Sequence, residues 1–216
     1  MNDLPREATA ADIASLLTRI DEAAQRVGYK SRDEVLDIVD ISLSTGIRMD
    51  RLRELLSGAE PEQPPREKTD REEYYRQLVS QRLDDLRKRG ADPKAPSGDT
   101  LRDIGSEVGL SYALIGHLVN GKRSARVDYS SPLEELYGVS HGYLSKPEGL
   151  ALVERLAAIK DGLIAGALHR GLRVLGGRRA ALRHVGPEVP SLETLLNALD
   201  DLMESHAASD RATSKD

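Results

Sequence analysis

Apolar residues recur along this chain at intervals of three and four, the spacing that gives a helix one buried face. Ile13, Leu16, Leu17, Ile20 and Ala24 mark a first helix, Val35, Ile38, Val39 and Ser42 a second, and Leu52, Leu55 and Leu56 a third. Tyr75, Leu78, Val79 and Leu86 predict one long helix; Leu150, Val153, Leu156, Ile159, Leu163, Ile164 and Leu168 predict another. A last stripe runs through Leu192, Leu195, Leu196, Leu199, Leu202 and Met203. Alternation of period two, the mark of a half-buried strand, is missing, so the pattern predicts an all-α fold.

Two stretches interrupt the helical pattern. "GAEPEQPPREKTD", residues 58–70, holds three prolines among alternating charges, which deny helix continuation and give a semi-rigid spacer. "RGADPKAPSGD", residues 89–99, is expected to be a loop for similar reasons. The ending "HAASDRATSKD" is small and polar, the composition of a fraying tail.

Composition narrows the chemistry. Among the 216 residues there is no Phe, Trp or Cys and only seven Tyr, so a core must come from Leu, Val, Ile and Ala, which suits small helical bundles. Without Cys there is no disulfide, no thiolate zinc site and no cysteine nucleophile, in keeping with a reducing cytoplasm. No run of about 18 apolar residues occurs, so no membrane span is expected. The opening "MNDLPREATAAD" carries acids and lacks an apolar core, unlike a signal peptide.

The net charge of −5 argues against indiscriminate coating of nucleic acid, but it hides a pattern. Residues 1–70 hold 10 basic and 15 acidic side chains, and residues 71–130 hold 11 and 9. Residues 146–186 hold 8 and 3, while residues 187–216 return to a net of −5. A polyanion is drawn to the middle of this chain and repelled by its ends.

The middle contains "LRDIGSEVGLSYALIGHLVNGKR", residues 101–123. Two helices that cross at a tight turn need facing apolar residues, a small residue at the crossing and glycine at the turn. Ile104 and Val108 supply the first inner face, Gly105 the crossing, Gly109 the turn and Leu110 the corner. Ser111 is placed to cap the second helix, Ile115 and Leu118 face inward, and Gly121 ends it. The outer face then carries Ser111, Tyr112, Ala113, Gly116, His117 and Asn120. A recognition helix reads bases with such outward and N-terminal residues. This one lacks the arginine that makes the commonest guanine contact, so readout falls on Tyr112, His117 and Asn120. Lys122, Arg123 and Arg126 follow closely enough to neutralise phosphates. The competing reading is a helical hairpin inside some other bundle.

The longer stretch "TLRDIGSEVGLSYALIGHLVNGKRSARVDYSSPLEELYGVSHGYLSKPEG" resembles the DNA-binding domain of Xre-type (λ-repressor-like) helix-turn-helix regulators. In that family a loop follows the two core helices, then a helix ending in "GV" and a short "YL" segment; "LEELYGVSHGYL", residues 133–144, is similar to that ending. The nearest branch is actinobacterial, typified by the mycobacterial regulator of ESX secretion. Its members add a C-terminal helical dimerisation region, and the resemblance implies that residues 147–205 are its counterpart. Two departures stand out: Gly105 replaces the family's usual alanine, and "SARVDYSSP" replaces an asparagine-proline pair after the basic turn.

"VDISLSTGIRMDRLRELLSGAEP", residues 39–61, repeats the template. Gly46 takes the turn and Ile47 the corner, with Leu52 and Leu55 facing inward; aligned on the glycine, Ser42 corresponds to Gly105 and Leu52 to Ile115. The outer face presents Arg48, Met49, Arg51 and Arg53 as a possible second DNA contact, diluted by Asp50 and Glu54. Asp33, Glu34, Asp37 and Asp40 on or near the preceding helix repel phosphates, so a degenerate copy used for protein contacts stands equally open.

Other groupings are sparse. His117, His141, His169, His184 and His206 are scattered without metal-binding spacing, and no phosphate-cradling glycine loop or catalytic grouping emerges. No cofactor, metal or enzymatic activity is expected. Arg178, Arg179 and Arg183 form either a solvated basic cap at a helix end or supplementary phosphate contacts.

The sequence thus predicts tandem helix-turn-helix domains and a C-terminal helical oligomerisation region. The boundaries are 1–58 (helix-turn-helix-like), 59–70 (linker), 71–146 (Xre-type DNA-binding domain), 147–206 (dimerisation helices) and 207–216 (tail). The expected function is sequence-specific binding of double-stranded DNA by a cytoplasmic, nucleoid-associated transcriptional regulator, homodimeric through its C-terminal helices. The alternatives are a helical protein-interaction module, contacting a partner regulator or RNA polymerase, and a phage-repressor or antitoxin type of DNA binder.

Overall fold

The computed structural model describes residues 7–90, 100–124, 127–174 and 197. Their regular structure is helical, with no strand among the described residues: α1 (Ala10–Val27), a 3-10 turn (Arg32–Glu34), α2 (Ile38–Thr45), α3 (Met49–Leu56), α4 (Lys68–Gly90), α5 (Leu101–Val108), α6 (Tyr112–Val119), α7 (Val127–Leu136) and α8 (Glu148–Val174). No described helix is long and apolar enough to cross a membrane. The stripe Leu192 to Met203, the run with Arg178, Arg179 and Arg183, Arg126, and the tail 207–216 lie outside the described residues.

The chain forms two compact units, Met1–Ala14 with Ile38–Arg155, and Ser15–Asp37 with Leu156–Asp216. In the second, Ala23 and Ile164 are buried together, with Leu163, Ala167 and Leu168 packed around them. The Arg32 amide closes the end of α1 by donating to Asp21 at 2.8 Å.

The first unit holds a buried cluster built mainly from aliphatic side chains. Val79, Leu83 and Leu86 of α4 meet Ile104 of α5, Ile115 and Leu118 of α6, Leu133 of α7, and Tyr143 and Leu144 beyond it. Leu83, Ile104, Ile115, Leu118, Leu133 and Leu144 are essentially inaccessible, so each contributes about 1.5–3 kcal/mol of burial. The α4 stripe differs from the expected one. Val79 and Leu86 are buried as expected, whereas Tyr75 and Leu78 are only half-buried, and Arg82 and Leu83 fill the remaining inward positions.

The earlier helices also shift in register. The second expected helix starts at Ile38, leaving Val35 as the residue that ends the 3-10 turn. Its inward face is Ile41, Ser42 and Thr45, and Val39 is exposed. The reason is chemical: Ser42 and Thr45 donate their hydroxyls to the carbonyls of Ile47 and Ile41, both at 2.6 Å, so polar side chains bury without loss.

Residues 59–65 have no regular secondary structure and are held at several points. The side-chain amide of Gln63 donates to the Ala8 carbonyl at 2.8 Å, and the Glu62 amide donates to Glu148 Oε1 at 2.7 Å. Pro61 is buried against Gly149. Helix α4 then begins at Lys68, inside the segment read as a spacer.

Candidate nucleic-acid interface

Helices α5 and α6 are eight residues each, too short to persist alone, and are defined by their ends. At the start of α5 the Thr100 hydroxyl accepts from the Asp103 amide at 3.2 Å, and Asp103 Oδ2 accepts from the Thr100 amide at 3.1 Å. This reciprocal cap holds the Asp103 carboxyl below its usual pKa, chiefly through the Thr100 hydroxyl. Gly109 ends the helix at φ 69°, ψ 23°, left-handed backbone that a side chain disfavours. The Leu110 amide then returns to the Gly105 carbonyl at 2.8 Å.

Ser111 begins α6 from extended backbone, its hydroxyl accepting from the Leu114 amide at 3.2 Å. Asn120 closes the helix, donating its side-chain amide to the Gly116 carbonyl at 2.7 Å, and the Lys122 amide reaches back to the His117 carbonyl at 2.8 Å. Ser80 of α4 donates its hydroxyl to the Val119 carbonyl, which pins the end of α6 to the long helix.

The face expected to read bases is laid out accordingly. Ser111, Tyr112, Ala113, His117 and Asn120 are exposed, Tyr112 by 60%, while Gly116 is half-buried beside Leu101. Lys122 and Arg123 follow in solvent. Ser111 and Asn120 are already committed to capping, which leaves Tyr112 and His117 as side chains without a hydrogen-bond partner among the described residues. Arg126 is outside those residues.

The α2–α3 pair has the same proportions. Both helices are eight residues long, and Gly46 between them has φ 70°. Its outer face is less free. Arg51 places its fork on Glu148, Nε at 3.2 Å from both carboxylate oxygens and Nη2 at 2.7 Å from Oε1. The same guanidinium donates to Glu54 at 2.9 Å and to the Glu60 carbonyl at 2.9 Å, and these acids push its pKa further up. Arg48 faces Asp50 at 3.5 Å in solvent, and Met49 and Arg53 are exposed.

Two buried charged residues position these elements, and neither stood out in the sequence. Arg82, 1% exposed, lies over the Tyr143 ring and donates through Nη1 to the carbonyls of Tyr143 and, at 2.7 Å, Lys146. Burial pushes its pKa down, opposed by the nearby Tyr143, Tyr74 and carboxylates. The Gly46 turn packs so tightly on it that a Cβ there would sit 3.0 Å from Arg82 Nε and from the Tyr143 ring. Glu134, 2% exposed, accepts from the amides of Gly142 at 3.0 Å and Leu144 at 2.9 Å, folding the segment after α7 back onto the core. The available signal was register: Arg82 falls on the inward face of α4, three residues from Val79, and Glu134 follows the inward Leu133.

No family model, curated protein or solved structure matches the chain.

Proposed function

We propose that this protein is a sequence-specific double-stranded DNA-binding regulator of the Xre type, with α6 entering the major groove. One observation carries the reading: a short helix capped at both ends and pinned to α4 displays Tyr112 and His117 without partners among the described residues and is followed by exposed Lys122 and Arg123. A rigid, small-residued helix that delivers two cations just beyond its end meets the steric and electrostatic demands of groove entry. Tyr112 and His117 carry base contact, and Asn120 joins only by giving up its bond to Gly116. The α2–α3 pair is then a second helix-turn-helix of the same proportions, and the C-terminal helices make a homodimer.

The test is selection of bound duplexes from a random pool. Wild type enriches a motif; Tyr112→Ala and His117→Ala change the motif, while Lys122→Ala with Arg123→Ala lowers binding to every sequence alike. Recovery of an unenriched pool by folded wild-type protein overturns the reading.

A second reading, a helical protein-interaction module, is favoured by the α2–α3 face. Val39, Leu43 and Met49 are exposed by 55%, 46% and 45%, and Arg51 is spent on Glu148. That face suits protein contact better than phosphate contact.

A further inference from the structure

The face that α6 turns outward decides which bases it is able to distinguish. Guanine is read best by an arginine or lysine that spans O6 and N7, and adenine by an asparagine or glutamine that spans N6 and N7. From Tyr112 to Val119 α6 carries none of these four residue types. Asn120, at its far end, already donates its side-chain amide to the Gly116 carbonyl at 2.7 Å. Lys122 and Arg123 stand beyond the turn at Gly121, where the chain leaves the helix at φ 63°.

The entering end offers apolar surface instead. Tyr112 and Ala113 occupy its first turn, and both are exposed. Ile115 and Leu118 are fully buried, which fixes the rotation of α6 about its axis and keeps that pair outward. One turn on, Gly116 has no side chain, so with Ala113 it lets the helix approach the bases closely. The N-terminal residues of a recognition helix are those that meet the base edges. The apolar group on the floor of the major groove is the 5-methyl of thymine, which alanine and aromatic side chains contact. His117 adds a hydrogen bond, but a single donor to N7 does not separate adenine from guanine, since both present that acceptor.

We propose that α6 reads thymine through its methyl group, so that the duplexes it selects are defined by T·A pairs touched by Tyr112 and Ala113. The proposal rests on the regulator reading above and adds to it the class of sequence recognised. Discrimination then comes from burying methyl groups, while Lys122 and Arg123 supply affinity that is blind to sequence.

The experiment is selection by the full-length protein from two random duplex pools, one with thymine and one with uracil in its place. Uracil lacks the methyl and keeps every pairing group. The thymine pool is expected to enrich a motif with T·A pairs at its core, and the uracil pool to lose that motif. Single uracils are then placed at each thymine of the selected duplex. Burial of one methyl is worth about fourfold in affinity, and a loss of that size is expected at one or more positions. Ala113→Gly and Tyr112→Ala are each expected to make such a position indifferent to the methyl. Thymine and uracil duplexes are compared within one variant, so the fraction of folded protein cancels. A motif bound equally well with uracil at every position, or one whose fixed positions are all G·C, overturns the proposal and leaves the regulator reading standing. No motif from either pool overturns both.

Discussion

The Ser42 hydroxyl donates to the Ile47 carbonyl at 2.6 Å, bridging the turn at Gly46 from inside the core. Four residues before the other turn glycine stands Gly105, where a Cβ would lie 2.6 Å from the Leu110 carbonyl. The corner carbonyl approaches the preceding helix in both pairs. One pair satisfies it with a hydroxyl, and the other makes room by having no side chain.

Opposite signs follow for two substitutions. Glycine to alanine inside a helix normally stabilises by about 1 kcal/mol, yet Gly105→Ala is expected to destabilise, because the close atom is backbone and cannot turn away. Ser42→Ala is expected to cost about 1–3 kcal/mol by leaving a buried carbonyl unpaired. Urea unfolding of both variants checks this; a Gly105→Ala variant more stable than wild type contradicts the packing described.

Glu134 anchors the segment from Gly138 to Leu144 by accepting from the amides of Gly142 and Leu144. Glu134→Ala is expected to lose about 2–4 kcal/mol, since charge-assisted bonds are each worth about 1.5–3 and solvent recovers part of the loss. Glu134→Gln, which keeps one acceptor oxygen, is expected to lose less. Hydrogen exchange at Gly142 and Leu144 reports the change locally, and unaltered protection there in the alanine variant goes against the anchoring role.

Arg51 and Glu148 join α3 to the start of α8 with side chains 32% and 14% exposed. A double-mutant cycle with Arg51→Ala and Glu148→Ala is expected to give a coupling of about 1–2 kcal/mol, above the value for exposed pairs, and to persist in added salt. Coupling near zero means that the fork does not hold these helices together.

The Tyr74 hydroxyl is pushed up to about 12 from 10.0, mainly by burial and then by the charges of Glu62 and Glu148. The folded protein therefore keeps this proton when the unfolded chain has released it. Its contribution to stability is complete below about pH 10 and is lost as pH rises from there toward about 12. Tyr75 and Tyr143 are raised in the same direction, each chiefly by burial. Unfolding measured across this interval is expected to show falling stability, and Tyr74→Phe to flatten part of the fall. An identical slope in that variant assigns the loss to other groups.

Much of this was legible in the sequence because it rests on local rules. The spacing around Ile104, Ile115 and Leu118 dictates two amphipathic helices, Gly109 and Gly46 dictate the turns, and Ser111 dictates a cap. What escaped was set by partners distant in the chain. Nothing local marks Arg51 as bound to Glu148, 97 residues away, or Arg82 as buried under Tyr143. Asn120 was legible as a surface residue, but its bond to the Gly116 carbonyl follows from a backbone position that periodicity does not resolve. The inward face of the second helix was only partly legible: Ser42 was placed on it, but Thr45 counts as polar in a hydrophobic pattern, whereas its hydroxyl is satisfied by the Ile41 carbonyl and buries freely.

The central claim, that α6 and the turn after it contact duplex DNA, is tested most directly by the salt dependence of binding. Each phosphate contact adds about 0.9 to the slope of log affinity against log salt. Wild type is expected to bind duplex DNA with a steep slope, and Lys122→Ala with Arg123→Ala to reduce that slope by about two while leaving the fold intact. No duplex binding by the folded protein at low salt, or a slope unchanged in the double variant, contradicts it.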